Sequence, residues 1–230
     1  MKEFSKLEKK IGIKIKNQDL LKQAFVHRSY INENPSFALS HNERLEFLGD
    51  AVLELVVTEY LYNNFPNPEG ELTNWRASLV NSTILATIAH TIGLEEYLYL
   101  SKGEAKDTNS KARNYILANT MESLIGAIYL DQGYDQSKKF VNEFIIPELP
   151  NIISNELYRD PKSKFQEISQ EKTGVTPSYK VLKETGPDHN KKFQVGVYIN
   201  DEMIAMAIGS SKQEAQVLAA AKALKKKKWD

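Results

Sequence analysis

The sequence predicts two domains of different class: an all-α unit over residues 1–150 and a small α+β unit over 161–230 with the order α-β-β-β-α, joined by a linker at 151–160. Three observations predict this. Apolar residues recur at helical spacing through almost all of the first 150 positions. They alternate with the period of a half-buried strand at Phe193, Val195, Val197 and Ile199. Between the two patterns lies a polar junction containing Asn151, Ser154, Asn155, Arg159, Asp160 and Pro161. At 230 residues and 41% hydrophobic content, the chain is long enough for one large or two smaller domains with real cores.

Taken in order, Leu20, Leu21, Ala24 and Phe25 supply the face of an early helix. A long helix over 45–62 is ended by Asn63-Asn64-Phe65-Pro66-Asn67-Pro68, because proline brings no N–H to continue the ladder. One helical stretch is expected over 72–92, stopping near Gly93, followed by a polar loop at 101–110. Helices over 112–130 and 136–147 complete the unit, in which no strand is expected. In the second unit a helix over 163–172 precedes strands at 178–183, 192–199 and 203–210. Turn-like segments at 185–190 and 200–202 separate these strands. A last helix over 212–226 draws packing and propensity from Ala215, Leu218, Ala219, Ala221, Ala223 and Leu224. The run Lys225 to Lys228 complements the dipole at its C-terminus, and Trp229 lies at an end that could be disordered.

Composition excludes several classes of function. There is no cysteine, so disulfides, thiolate metal sites and cysteine nucleophiles are ruled out. The first ten residues are charged, and no stretch approaches the roughly 18 apolar residues needed to cross a bilayer. A soluble, cytoplasmic protein without membrane partners is expected. The formal net charge of zero hides an asymmetry. Residues 1–150 hold 16 Lys and Arg against 20 Asp and Glu, whereas residues 151–230 hold 14 against 10. An acidic half suits cation chemistry and a basic half suits a polyanion. The four histidines, His27, His41, His90 and His189, lack metal-ligand spacing, and no Ser-His-Asp arrangement stands out.

Glu43, Glu46 and Asp50 fall at i, i+3 and i+7 within a segment that otherwise has the pattern of a buried helix. Asn119 and Glu122 repeat the i, i+3 spacing in a second such segment. A carboxylate buried without a partner takes up a proton rather than stay charged. Something positive is therefore expected between these helices.

The run Asn42-Glu43-Arg44-Leu45-Glu46-Phe47-Leu48-Gly49-Asp50 resembles the signature of ribonuclease III, the endonuclease of double-stranded RNA. The second half resembles a double-stranded RNA-binding domain. The resemblance implies an all-α nuclease domain followed by an RNA-binding domain. It also implies an Mg²⁺-dependent endoribonuclease that leaves 5′-phosphate and 3′-hydroxyl ends while processing ribosomal RNA precursors and structured messengers. Carried onto this chain, it makes Glu46, Asp50, Asn119 and Glu122 the metal ligands, with Mn²⁺ a candidate substitute for Mg²⁺, and Asp50 and Glu122 the catalytic residues. Glu43 and Glu69 would lie near the RNA and the cleavage site. Gln166 and Glu167 would face 2′-hydroxyls, Pro187-Asp188-His189 would enter the next minor groove, and Lys212 would meet phosphate. The family's nuclease domains pair as homodimers, and Phe47, Leu48, Val52 and Leu55 offer apolar surface for that pairing or for plain interior packing. No small-molecule substrate is implied.

Two departures from the family pattern bear on activity. Asn119 stands where Asp is usual, so the site should hold its cation less tightly. The alternative is a weakly cleaving or non-cleaving double-stranded RNA-binding regulator. Gln213 and Gln216 stand where cations are usual, which predicts weaker phosphate binding, offset by Lys191, Lys192 and Lys222. A DNA-directed nuclease is disfavoured, because the second domain's surface matches A-form geometry.

Overall fold

The computed structural model describes residues 2–108, 110–187 and 191–229. The chain divides into units at 1–158 and 159–230. The first unit is helical, in the order α1 (Phe4–Ile11), α2 (Gln18–Ala24), α3 (Arg28–Glu33), α4 (Glu43–Asn64), α5 (Glu69–Leu79), α6 (Ser82–Thr91), α7 (Lys102–Lys106), α8 (Lys111–Gln132), α9 (Tyr134–Phe144) and α10 (Leu149–Ser154).

Local chemistry sets most of these boundaries. Gly12 closes α1 in the left-handed region at φ 65°, which a side chain would strain. Asn17, Ser101 and Ser110 cap α2, α7 and α8 by accepting hydrogen bonds from first-turn amides. The stretch expected as one helix over 72–92 is two. Asn81 takes an extended conformation and accepts from the amides of Thr83 and Ile84, starting α6 afresh after α5 has ended. Apolar periodicity did not reveal this break because the cap leaves the pattern undisturbed. The polar segment 101–110 holds the short helix α7, and α1 and α3 were not anticipated. Helical structure also runs into the junction as α10, where Ile152 is buried.

The centre of this unit is the pair α4 and α8, each of 22 residues. Leu53, Val56, Leu124, Ile125 and Ile128 are completely shielded from solvent, as are Leu21 and Phe25 packed against the same core. Such burial stabilises each large side chain by about 1.5–3 kcal/mol. Among the described residues, no helix is long and apolar enough to cross a membrane.

The second unit runs α11 (Pro161–Thr173), β1 (Ser178–Thr185), β2 (Lys192–Ile199), β3 (Glu202–Gly209) and α12 (Lys212–Lys227). The sheet is antiparallel in the order β1-β2-β3, with Val197 paired to Tyr179 on one side and Ala205 on the other. The β2–β3 turn places Asn200 at φ 53°, a conformation asparagine tolerates better than most residues. Phe165 of α11, Val197, Ile204, Ala207 and the alanines Ala219, Ala220 and Ala223 of α12 form its core. Trp229 is not a loose end. Its ring lies 5.6 Å from that of Phe165, and its amide donates to the Leu224 carbonyl.

Candidate active site

The acidic positions converge because two glycines let α4 and α8 touch backbone to backbone. A Cβ on Gly49 would sit 1.8 Å from the Glu122 carbonyl oxygen, and one on Gly126 would sit 2.3 Å from that of Leu45. No side chain fits at either point. Gly49 immediately precedes Asp50, so the same contact that shields the glycine brings Asp50 beside Glu122. Ser123 adds a tie, donating to the carbonyl of Asn119 at 2.7 Å and more distantly to that of Asn42 at 3.4 Å. Asn42 precedes the first residue of α4 but does not cap it with its side chain. Its amide donates to Ala24 at 3.2 Å instead, fixing the start of α4 against α2.

Three carboxylates and one amide thus gather at this contact, with Glu46, Asn119 and Glu122 half-buried and Asp50 exposed. Burial, then the neighbouring charges of Asp50 and Glu46, push the Glu122 carboxyl up to about 8. The Glu46 carboxyl is also raised, by burial first and by Glu43 and Asp50 after it, with contact from the Asn119 amide working against the shift. Asp50 is exposed, and Asn119 is intermediate between core and surface. Among the described residues, no three Asp, Glu or His groups already close on a single point. The carboxylates share a field rather than a cage. All the donors are oxygens, and a group that holds its proton to about pH 8 lacks a compensating charge. That donor chemistry fits a hard divalent cation.

Glu43 adds its charge to Glu46 but lies at the outer edge of the group. It is exposed and lies 3.5 Å from Arg28, which partly answers its charge, and 3.7 Å from the His41 ring. Glu69 begins α5, accepts a hydrogen bond from Thr73 at 2.9 Å, and lines a cavity with Tyr62, Phe65 and Arg76 rather than joining the four. The apolar residues of α4 divide. Val52 belongs to the core and Leu48 is half-buried, whereas Phe47 is 82% exposed, Leu55 56% and Tyr62 79%. With exposed Ala51 and Thr58, these last three fall along one helical stripe facing solvent.

In the second unit Gln166 and Glu167 are both exposed on α11, but Glu167 is paired with Arg159 at 2.8 Å. Lys212 opens α12 and pairs with Glu184 at 3.1 Å. Asp188 and His189 lie outside the described residues. Gln216, one of the two glutamines standing for expected cations, accepts a hydrogen bond from Lys162 at 2.8 Å. A lysine from α11 therefore stands beside the position that lacks one, a replacement that only the packing of the two helices reveals. Sequence reasoning also passed over Gly49 and Gly126. The signal was available in principle, because glycine inside an otherwise buried helix marks a close approach.

A family model described as Ribonuclease-III-like matches residues 17–149, and one described as double-stranded RNA binding motif matches residues 161–227. The chain is 41% identical to the Ribonuclease 3 of Nitratiruptor sp., over 98% of this chain and 97% of that protein. It is 43% identical to the Ribonuclease 3 of Enterococcus faecalis, over 96% of each. The solved nuclease domain of ribonuclease III from Campylobacter jejuni superposes with a TM-score of 0.56 at 36% identity, covering 64% of this chain and 99% of that one. One structure of that domain is described as showing flexibility in a region involved in dimer formation.

Proposed function

The chain belongs to the ribonuclease III family and is an endoribonuclease, and from that premise we propose that it cleaves double-stranded RNA with Mg²⁺ held by Glu46, Asp50, Asn119 and Glu122. The observation that carries this reading is Glu122, a half-buried carboxyl raised by the charges of two others across a glycine-spaced helix contact. Metal binding would replace the proton that Glu122 otherwise keeps. Bound there, the ion would supply Lewis-acid stabilisation of the charge developing on the scissile phosphate and a more acidic attacking water.

The residues' own contributions follow from their placement. Glu122 and Asp50 stand on different helices close enough for the charge of Asp50 to raise the Glu122 carboxyl, and a cation held by both would relieve that repulsion. Glu46 and Asn119 flank them, the amide adding an oxygen ligand without charge. Asp50 and Glu122 are the pair most directly tied to catalysis in this proposal. Hydrolysis would leave 5′-phosphate and 3′-hydroxyl ends. The RNA-binding unit would engage the duplex through Gln166 and Glu167 on α11, the 187–189 turn and Lys212, with Glu43 and Glu69 near the RNA path on the nuclease side. The boundary is placed at 151–160, between the nuclease domain at 1–150 and the RNA-binding domain at 161–230.

The exposed stripe of Phe47, Leu55 and Tyr62 on α4 supports a homodimer, since large aromatic and aliphatic side chains on one face seek a partner. The proposed setting is the cytoplasm, with ribosomal RNA precursors and structured messengers as substrates. The decisive assay incubates labelled RNA duplex, DNA duplex and single strands with Mg²⁺, with Mn²⁺ and with EDTA. Metal-dependent cutting of RNA duplex alone, with phosphate on the new 5′ ends, is the expected result. Binding without cutting would instead favour the regulator reading that Asn119 raises.

A further inference from the structure

The cation that should meet RNA at the start of α12 is already held by an anion of the protein itself. Glu184, near the end of β1, places Oε1 3.1 Å from Lys212 Nζ and Oε2 3.3 Å from Lys191 Nζ. Its strand position pairs in register with Phe193, and Lys212 Nζ lies 5.5 Å from the centre of the Phe193 ring. The three charged side chains are all partly exposed, at 36% for Glu184, 57% for Lys212 and 38% for Lys191. This is a surface cluster that RNA can reach, not a core ion pair.

We propose that Glu184 sets the affinity of the RNA-binding unit by occupying Lys212, which would otherwise neutralise phosphate. The inference rests on the reading that Lys212 meets RNA phosphate. Two consequences of the geometry support it. Glu184 lies within 3.1 Å of Lys212, so part of that lysine's charge is answered before RNA arrives. Moreover, α12 has Gln213 and Gln216 where further cations were expected, and Gln216 is engaged by Lys162. Lys212 therefore carries a large share of the phosphate attraction at this helix end, and what governs Lys212 governs binding. The two lysines in turn hold the Glu184 carboxyl below its ordinary range, Lys212 contributing most. An exposed pair of this kind is weak enough for a phosphate to displace, and a carboxylate left beside the phosphate would go on repelling it.

Direct competition and favourable pre-positioning of Lys212 by Glu184 have opposite signs in one measurement. The full chain and its Glu184→Gln, Lys212→Gln and doubly substituted variants are titrated with an RNA duplex of about 20 base pairs across a salt series, in EDTA so that the RNA stays intact. Removing the carboxylate should tighten binding about threefold to tenfold at low salt. It should also steepen the salt dependence by up to roughly one released counterion. Lys212→Gln should erase that gain in the double variant. Unchanged or weaker binding by Glu184→Gln would overturn the proposal, the latter showing that Glu184 positions Lys212. A gain that survives in the double variant would overturn it too, because the affinity would then come from general charge. If Lys212→Gln changes nothing in either background, the phosphate contact itself fails, an outcome distinct from failure of Glu184 alone. Thermal melts of all four proteins exclude misfolding as the cause.

Discussion

At the scale of single residues, the site is governed by charge that burial makes expensive. Glu122 keeps its proton to about pH 8 when folded, against an ordinary value of 4.5. Between those values the unfolded chain binds fewer protons than the folded one, so the metal-free protein should lose stability as pH rises through this window. The raised Glu46 carboxyl contributes in the same direction. Glu122→Gln should therefore raise the melting temperature in EDTA near pH 8 and flatten its pH dependence. It should also reduce RNA cleavage at least about a hundredfold, more than loss of a supporting neighbour would. A melt series from pH 5 to 8 that shows no flattening would contradict the assignment. Asn119→Asp should act with opposite signs in two conditions. A fourth carboxylate lowers the melting temperature in EDTA and tightens Mg²⁺ binding by roughly tenfold, as ligand charge increases. Calorimetric titration with Mg²⁺ measures the second effect directly.

At the scale of elements, the α4–α8 contact determines where the acidic side chains can be. Gly126 lies against the Leu45 carbonyl, and alanine there would force the helices apart. Gly126→Ala should cost about 1–3 kcal/mol in denaturant unfolding, by the usual penalty for overpacking, despite alanine's better helix propensity. The same movement should weaken Mg²⁺ binding, because Asp50 and Glu122 sit on opposite sides of the contact. A Gly126→Ala variant as stable as the parent would show that the helices can separate freely. Both 22-residue helices were legible in the sequence because apolar residues recur along them and proline or glycine closes them. The break between α5 and α6 was not, since a polar cap at Asn81 costs the pattern no apolar position. The strands were legible too, because alternation in β2 reports a sheet with one covered face.

At the scale of the whole molecule, the outward stripe on α4 bears on assembly. Phe47→Glu would place a charge on the stripe proposed to pair two copies of the chain and, on that proposal, should weaken self-association by at least about tenfold, in keeping with the loss of a central aromatic anchor. Sedimentation over a dilution series tests this. A variant that stays as associated as the parent would move the dimer contact elsewhere. From sequence, Phe47, Leu48, Val52 and Leu55 stood as one undivided group. The fold separates them, sending Val52 inward and Phe47 and Leu55 outward. The same holds in the RNA-binding unit, where composition shows that lysines are present but not that Glu184 and Arg159 claim the charges of Lys212 and Glu167.

By itself, the order of residues determined the two-domain architecture, the helical and sheet classes of each unit, and the acidic positions proposed to hold a cation. Those features repeat locally, in periods of two and 3.6 residues and in a contiguous signature, so no distant contact is needed to see them. Only the tertiary structure decided how closely α4 approaches α8, which apolar side chains remain outside, and which exposed charges already have partners. Each of these depends on groups far apart in the chain, brought together by backbone packing that no short segment encodes.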